Sequence, residues 1–143
     1  MLSELSKINN YYNSFNYVSD TVAFDKKDYW QTPLEFEKNK YGDCEDFAIA
    51  KFFKLKENKI DSNIVYCLAN GEAHMVCLVD DYILDNINRN IISAKHTNYF
   101  FIFMFNTEYW KVMKNNAPFG IERDINNLKL WKDLIIRYQG ELC

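Results

Sequence analysis

Cys44 stands in the segment Gly42-Asp43-Cys44-Glu45-Asp46, a single thiol with acids on both sides. Over 47–55 apolar groups recur at helical spacing (Ala48, Phe52 and Leu55; Ile49 and Phe53), which predicts a packed helix. Cys44 then lies at or near a helix N-terminus, where unpaired N–H groups and the macrodipole favour a thiolate over a thiol. Gly42 ahead of it suits a sharp turn. A cysteine so placed is poised as a nucleophile. The neighbouring acids oppose that chemistry unless something neutralises them.

A thiol nucleophile needs a base, and the base needs a group that orients it. The chain has 2 histidines. His96 falls in a polar stretch and reads as loop or surface. His74 falls in the run Ala73-His74-Met75-Val76-Cys77-Leu78-Val79, which reads as a strand. If Asp80-Asp81 is a two-residue hairpin turn, Val76 faces Asp85 and His74 faces Ile87. Asp85 then shares a face with His74, one diagonal step away, at about 7–8 Å between Cα atoms. A register slip of one residue would break that relation. Cys44, His74 and Asp85 are therefore the candidate nucleophile, base and orienting acid.

The elements that must position them follow from periodicity and turn chemistry. Leu2, Leu5, Ile8, Tyr12 and Phe15 predict an N-terminal helix capped by Ser3. An irregular stretch over 25–33 leads to Thr32-Pro33-Leu34-Glu35, a helix start with proline at the first position and a short helix over 34–38. The cysteine helix ends near Asn58. Strands follow over 63–68, 73–79 and 82–87, with turns at Asn70-Gly71 and Asp80-Asp81. Further strands are expected over 99–105 and 109–112. Leu128, Trp131, Leu134, Ile135 and Tyr138 mark a last amphipathic helix. Helices first, then an antiparallel meander, then a helix describe an α+β fold. No repeat or linker divides the chain, so one domain over 1–143 is expected.

With 143 residues, 48% of them hydrophobic and 17% aromatic, the chain suits a folded domain with a sizeable core. A net charge of -3 gives no reason to expect nucleic acid or an anionic membrane as a partner. No apolar run approaches the roughly 20 residues of a membrane-spanning helix. The first residues lack the basic patch and apolar core of a secretory signal, which leaves a cytoplasmic chain or an exported one whose signal was removed. Cys44, Cys67, Cys77 and Cys143 form no C-x-x-C pair. A two-residue loop at Asn70-Gly71 puts Cys67 and Cys77 on opposite faces of a hairpin, which disfavours a disulfide between them.

The segments Tyr29-Trp30-Gln31-Thr32-Pro33-Leu34-Glu35-Phe36, Gly42-Asp43-Cys44-Glu45-Asp46-Phe47-Ala48-Ile49-Ala50-Lys51, Glu72-Ala73-His74-Met75-Val76 and Tyr82-Ile83-Leu84-Asp85-Asn86 resemble the bacterial transglutaminase-like cysteine proteinases of the LapG type. The resemblance covers about residues 20 to 112. It implies a papain-like, transglutaminase-like core and a cysteine endopeptidase with a Cys–His–Asp triad at Cys44, His74 and Asp85. It also implies calcium held by Asp43, Glu45 and Asp46 beside the nucleophile. A hard dication favours clustered carboxylate oxygens and would offset their repulsion of a thiolate; equally, the acids could complement the helix N-terminus without a metal. Members of this kind cleave a large adhesin near a pair of small residues to control biofilm attachment. A membrane receptor that senses cyclic di-GMP restrains them. Two other functions fit the same residues: acyl transfer to an amine, as in a transglutaminase, and a non-catalytic calcium-dependent binding module. The oxyanion of a peptidase would be held by the Cys44 N–H and one upstream donor near Trp30 or Gln31.

Overall fold

A computed structural model describes residues 1–19 and 28–143. Positions 25–27 of the irregular stretch expected over 25–33 lie outside the described residues. Helix α1 (Leu2–Asn13) buries Leu5, Ile8 and Tyr12 as its spacing predicts. Ser3 lies inside the helix rather than capping it, because Leu5 N–H already bonds to the Met1 carbonyl at 3.1 Å. Helix α2 (Pro33–Asn39) starts at a capping box. Glu35 N–H donates to Thr32 Oγ1 at 3.2 Å, and Thr32 N–H donates to Glu35 Oε1 at 2.9 Å. Lys40 ends it in the left-handed region, with φ 61°. Helix α3 (Cys44–Glu57) follows, with Asp43 as its N-cap. Two short strands, β1 (Asn16–Tyr17) and β2 (Tyr41–Gly42), pair in parallel and tie the end of α1 to the approach to Cys44.

Among the described residues, seven strands form the main sheet: β3 (Asn63–Ala69), β4 (Glu72–Val79), β5 (Tyr82–Leu84), β6 (Ile92–Ser93), β7 (Phe100–Phe105), β8 (Tyr109–Lys114) and β9 (Ala117–Asp124). Their order is β6-β5-β4-β3-β7-β8-β9, and every neighbouring pair is antiparallel. This departs from a plain meander. The chain runs outward from β3 to β6, then returns so that β7 pairs with the open side of β3. Ile64, Val65 and Cys67 of β3 are fully buried, and a strand buried on both faces needs partners along both edges. Strands β6 and β9 escape periodicity, the first by its length and the second because every residue of it is exposed.

The hairpin registers are those the turns predict. Cys67 faces His74 across the Asn70-Gly71 turn, whose residues both take positive φ (53° and 82°). Val79 faces Tyr82 across Asp80-Asp81. The third strand stops at Leu84 rather than reaching 87, because Asp85 accepts the N–H of Ile87 at 3.1 Å and turns the chain. The sheet separates two clusters. One joins Cys77, Ile64, Leu84 and Phe105 to the helices through Leu5, Phe36, Ile49 and Leu55. Trp131 and Leu134 of the last helix, α4 (Lys129–Leu142), complete it. The other holds Val65, Cys67, Val76, Ile83, Phe101 and Met104. Cys67 and Cys77 thus lie on opposite faces, and all four cysteines are free. Among the described residues no helix is long and apolar enough to cross a membrane.

Candidate active site

Cys44 is the first residue of α3, and α3 packs on β4. Its Sγ lies against the backbone of Met75, the residue after His74, and is 3.7 Å from Glu45 Oε2. Burial pushes the thiol well above its ordinary value, and the charges of Glu45 and Asp43 push it further. The Met75 N–H acts in the opposite sense. The helix terminus therefore does not by itself yield a thiolate here: desolvation and two carboxylates outweigh it.

His74 and Asp85 meet. His74 Nε2 is 2.7 Å from Asp85 Oδ1, and both side chains are buried. A carboxylate only accepts, so Nε2 carries the proton and Nδ1 is left as the basic nitrogen. Asp85 also accepts from Ile87 N–H, from Tyr99 OH at 2.6 Å and from Asn88 Nδ2 at 3.2 Å. Burial alone would raise the Asp85 pKa, but the His74 hydrogen bond and charge, with Tyr99 and Ile87, hold it below the usual carboxylate range. The Tyr99 ring also stands edge-on to His74, with centroids 5.8 Å apart. Sequence reasoning missed Tyr99 and Asn88 as parts of the site. Tyr99 reads there as the start of a strand, and only the return of β7 to β3 brings it to Asp85.

The acids around Cys44 divide. Asp46 is 1% exposed, and its carboxylate accepts from Gln31 N–H (2.8 Å), Gln31 Nε2 (3.0 Å) and Asp43 N–H (3.0 Å). Burial raises its pKa to about 6 against the pull of those donors. Asp46 thus locks the W-x-T-P segment to α3, and its oxygens are already engaged. Asp43, whose side chain forms a capping box with Asp46 at the start of α3, and Glu45 are the other hard oxygen donors beside the thiol. Among the described residues no three or more histidines, cysteines or acids converge as a ready metal cluster. Gln31 is likewise committed: its Nε2 donates to Tyr41 O at 2.8 Å and to Asp46, and its Oε1 accepts from Asn39. Its amide hydrogens are thus not available to an oxyanion. His96 lies in an exposed bend, as expected.

A groove of about 480 Å³ is lined by Trp30, Tyr66, Met75, Phe103 and Leu128, with Glu45, the neighbour of Cys44, on its wall. Trp30 stacks on Phe105 with centroids 6.1 Å apart. Arg137 of α4 holds the Trp30 carbonyl at 2.6 Å and Glu35 at 2.8 Å.

A profile of the bacterial transglutaminase-like cysteine proteinases matches residues 1–117. The chain belongs to that family. It is accordingly a cysteine peptidase, and its substrates are proteins. Among solved structures it is similar to LapG from Legionella pneumophila. The EGTA-treated form has 30% identity and a TM-score of 0.82, over 95% of this chain and 78% of that one. LapG itself gives 30% and 0.80, over 95% and 76%. Its calcium-bound form gives 28% and 0.74, over 94% and 78%. The α+β fold with a transglutaminase-like core is the one these structures share. No curated protein matches the chain.

Proposed function

We propose that this cysteine proteinase is an endopeptidase in which Cys44 is the nucleophile, His74 the base and Asp85 the group that fixes the imidazole. The observation that carries the reading is the 2.7 Å contact of His74 Nε2 with Asp85, with Cys44 against the next residue of the same strand. His74 Nδ1 takes the proton from the Cys44 thiol as sulfur attacks the peptide carbonyl. The C–N bond then breaks, the leaving amine takes the proton from His74, and a thioester remains. Water, deprotonated by His74, hydrolyses the thioester. The Cys44 N–H in the first turn of α3 supplies an oxyanion donor. The apolar groove along Trp30 and Phe103 receives the chain of the substrate.

Asp43 and Glu45 are the residues suited to hold calcium, with carbonyl oxygens and water completing the roughly six to eight oxygens that the ion takes. Asp46, in the first turn of α3, supports them by holding the Asp43 N–H. Calcium bound there would offset the two charges that add to burial in raising the Cys44 thiol. The family resemblance extends the reading to an adhesin-like polypeptide cut beside adjacent small residues, and to a cyclic di-GMP-sensing membrane receptor as the restraining partner.

The deciding experiment incubates an adhesin-like polypeptide containing adjacent alanines with the wild-type chain and with Cys44→Ala. Cleavage at one site by wild type alone is expected; equal cleavage by both would end the assignment. Added amine distinguishes hydrolysis from acyl transfer by the mass of the product. Calcium should raise the melting temperature of the wild type, an increase absent in Asp43→Asn and Glu45→Gln. A melting temperature indifferent to calcium and to EGTA would remove the metal from the reading.

A further inference from the structure

Lys51 of α3 is fully buried. Among the described residues its ammonium has one hydrogen-bond acceptor, Asn13 Oδ1 at 2.8 Å. A buried ammonium with so few partners is expensive, and an apolar side chain would fill the same space at no such cost. Its surroundings suggest why a charge is placed there. The charged or titratable groups that act on it are the Asp85 carboxylate, from the segment after β5, and the Cys77 thiol of β4. Asn13, which accepts from Lys51, donates its Nδ2 to the main-chain carbonyl of Asp85 at 2.8 Å. One turn earlier on the same helix Asn9, fully buried, donates its Nδ2 to the carbonyl of Arg89 at 3.2 Å. The irregular segment 85–89 that carries the orienting acid is thus gripped at both ends by asparagines four residues apart on α1, and one of them is held by Lys51.

We propose that Lys51, Asn13 and Asn9 are positioning residues, a clamp that holds segment 85–89 and thereby sets the Asp85 carboxylate against His74. The proposal rests on reading His74 and Asp85 as base and orienting acid. None of the three touches the substrate or the thiol; they act through the backbone that bears Asp85. The clamp also assigns α1 a role in the site, although its sequence carries no catalytic motif. Lys51 Nζ donates to Asn13 Oδ1, which fixes the amide so that its Nδ2 faces Asp85 rather than solvent. Where Lys51 is protonated, it adds a positive field beside the carboxylate.

The test uses the full chain, Asn13→Ala, Asn13→Asp and Lys51→Met, with two readouts. The first is nitrogen-15 NMR of the His74 ring. Wild type should show the tautomer protonated at Nε2, with a downfield, slowly exchanging proton from the bond to Asp85. The second is the split of kcat and KM on a cleavable polypeptide. Asn13→Asp keeps an acceptor for Lys51 but loses the donor to the Asp85 carbonyl, so it should behave as Asn13→Ala does. Both should lose the slow Nε2 proton and drop kcat about tenfold or more, with little change in KM, as expected of a misplaced catalytic group. Variants with native circular dichroism, an unchanged His74 proton and unchanged kcat would overturn the clamp, even if their melting temperatures fall. Should Lys51→Met fail to fold, the partly exposed Asn13 variants decide alone. Should the wild type cleave nothing, the endopeptidase reading fails, and the His74 resonances still decide the clamp.

Discussion

At Asp85 four donors converge on one carboxylate, and they are not equivalent. Ile87 N–H and Asn88 come from the same turn, His74 from the neighbouring strand, and Tyr99 from the far side of the 85–99 excursion. Among the described residues, removing Tyr99 OH leaves the Oδ2 oxygen with Asn88 as its donor. Tyr99→Phe is expected to cost about 1 kcal/mol of stability, read by urea denaturation. It should also lower kcat severalfold, because Oδ2 is then freer to turn away from the His74 bond. The meeting of His74 with Asp85 and the helix that begins at Cys44 were legible in the sequence because they depend on local facts. Two tight turns set the registers, and one apolar run set the helix. Tyr99 was not legible, since its place depends on which strand β7 chooses. Lys51 was nearly legible: with Ala48, Phe52 and Leu55 it falls at i, i+3, i+4 and i+7, on the buried stripe of α3.

At the scale of elements, the join between β2 and α3 tolerates no added atom. A Cβ at Gly42 would lie 2.4 Å from Asp46 Oδ2 and 2.8 Å from Gln31 Nε2. The glycine is there for close approach rather than for a positive φ, a correction to the sharp turn expected from the sequence. Gly42→Ala should break the Gln31–Asp46 lock, destabilise the chain by about 1–3 kcal/mol, and slow alkylation of Cys44 by iodoacetamide in a Cys143→Ser background. Urea denaturation with timed labelling checks both. A native labelling rate would show that the lock does not position the thiol. The short strands β1 and β2 and the exposed β9 left no periodic trace, because two residues are too few to show a period and a wholly exposed strand has no buried face to alternate.

For the molecule as a whole, the buried Lys51 makes stability depend on pH. Burial lowers its pKa from 10.5 to about 7, against the opposing pull of the Asp85 carboxylate. Between those values the unfolded chain holds a proton that the folded one lacks, so stability rises with pH across that window. Below about pH 7 both states are protonated and the full penalty of the buried charge applies. Each unit of separation is worth about 1.4 kcal/mol. Urea denaturation at intervals from pH 7 upward should show this rise in wild type and a flatter profile in a folded Lys51→Met. Parallel profiles would mean that Lys51 keeps an ordinary pKa. The overall α+β class was readable from the order of helical and alternating patterns. The order of the strands was not, because the return of β7 to β3 answers to burial of the central strand and not to any local signal.

Among the described residues, that return leaves β6 and β9 as the outer strands of the main sheet, and each is blunted in its own way. At one end β6 is two residues long. At the other, β9 carries Pro118, a glycine at φ 86° (Gly120), and the charged run Glu122-Arg123-Asp124, and its pairing to β8 is interrupted between Trp110 and Val112. A strand without a full row of free N–H groups, twisted and charged, is a poor template for another chain. The sheet therefore ends on both sides in strands that disfavour edge-to-edge pairing between molecules.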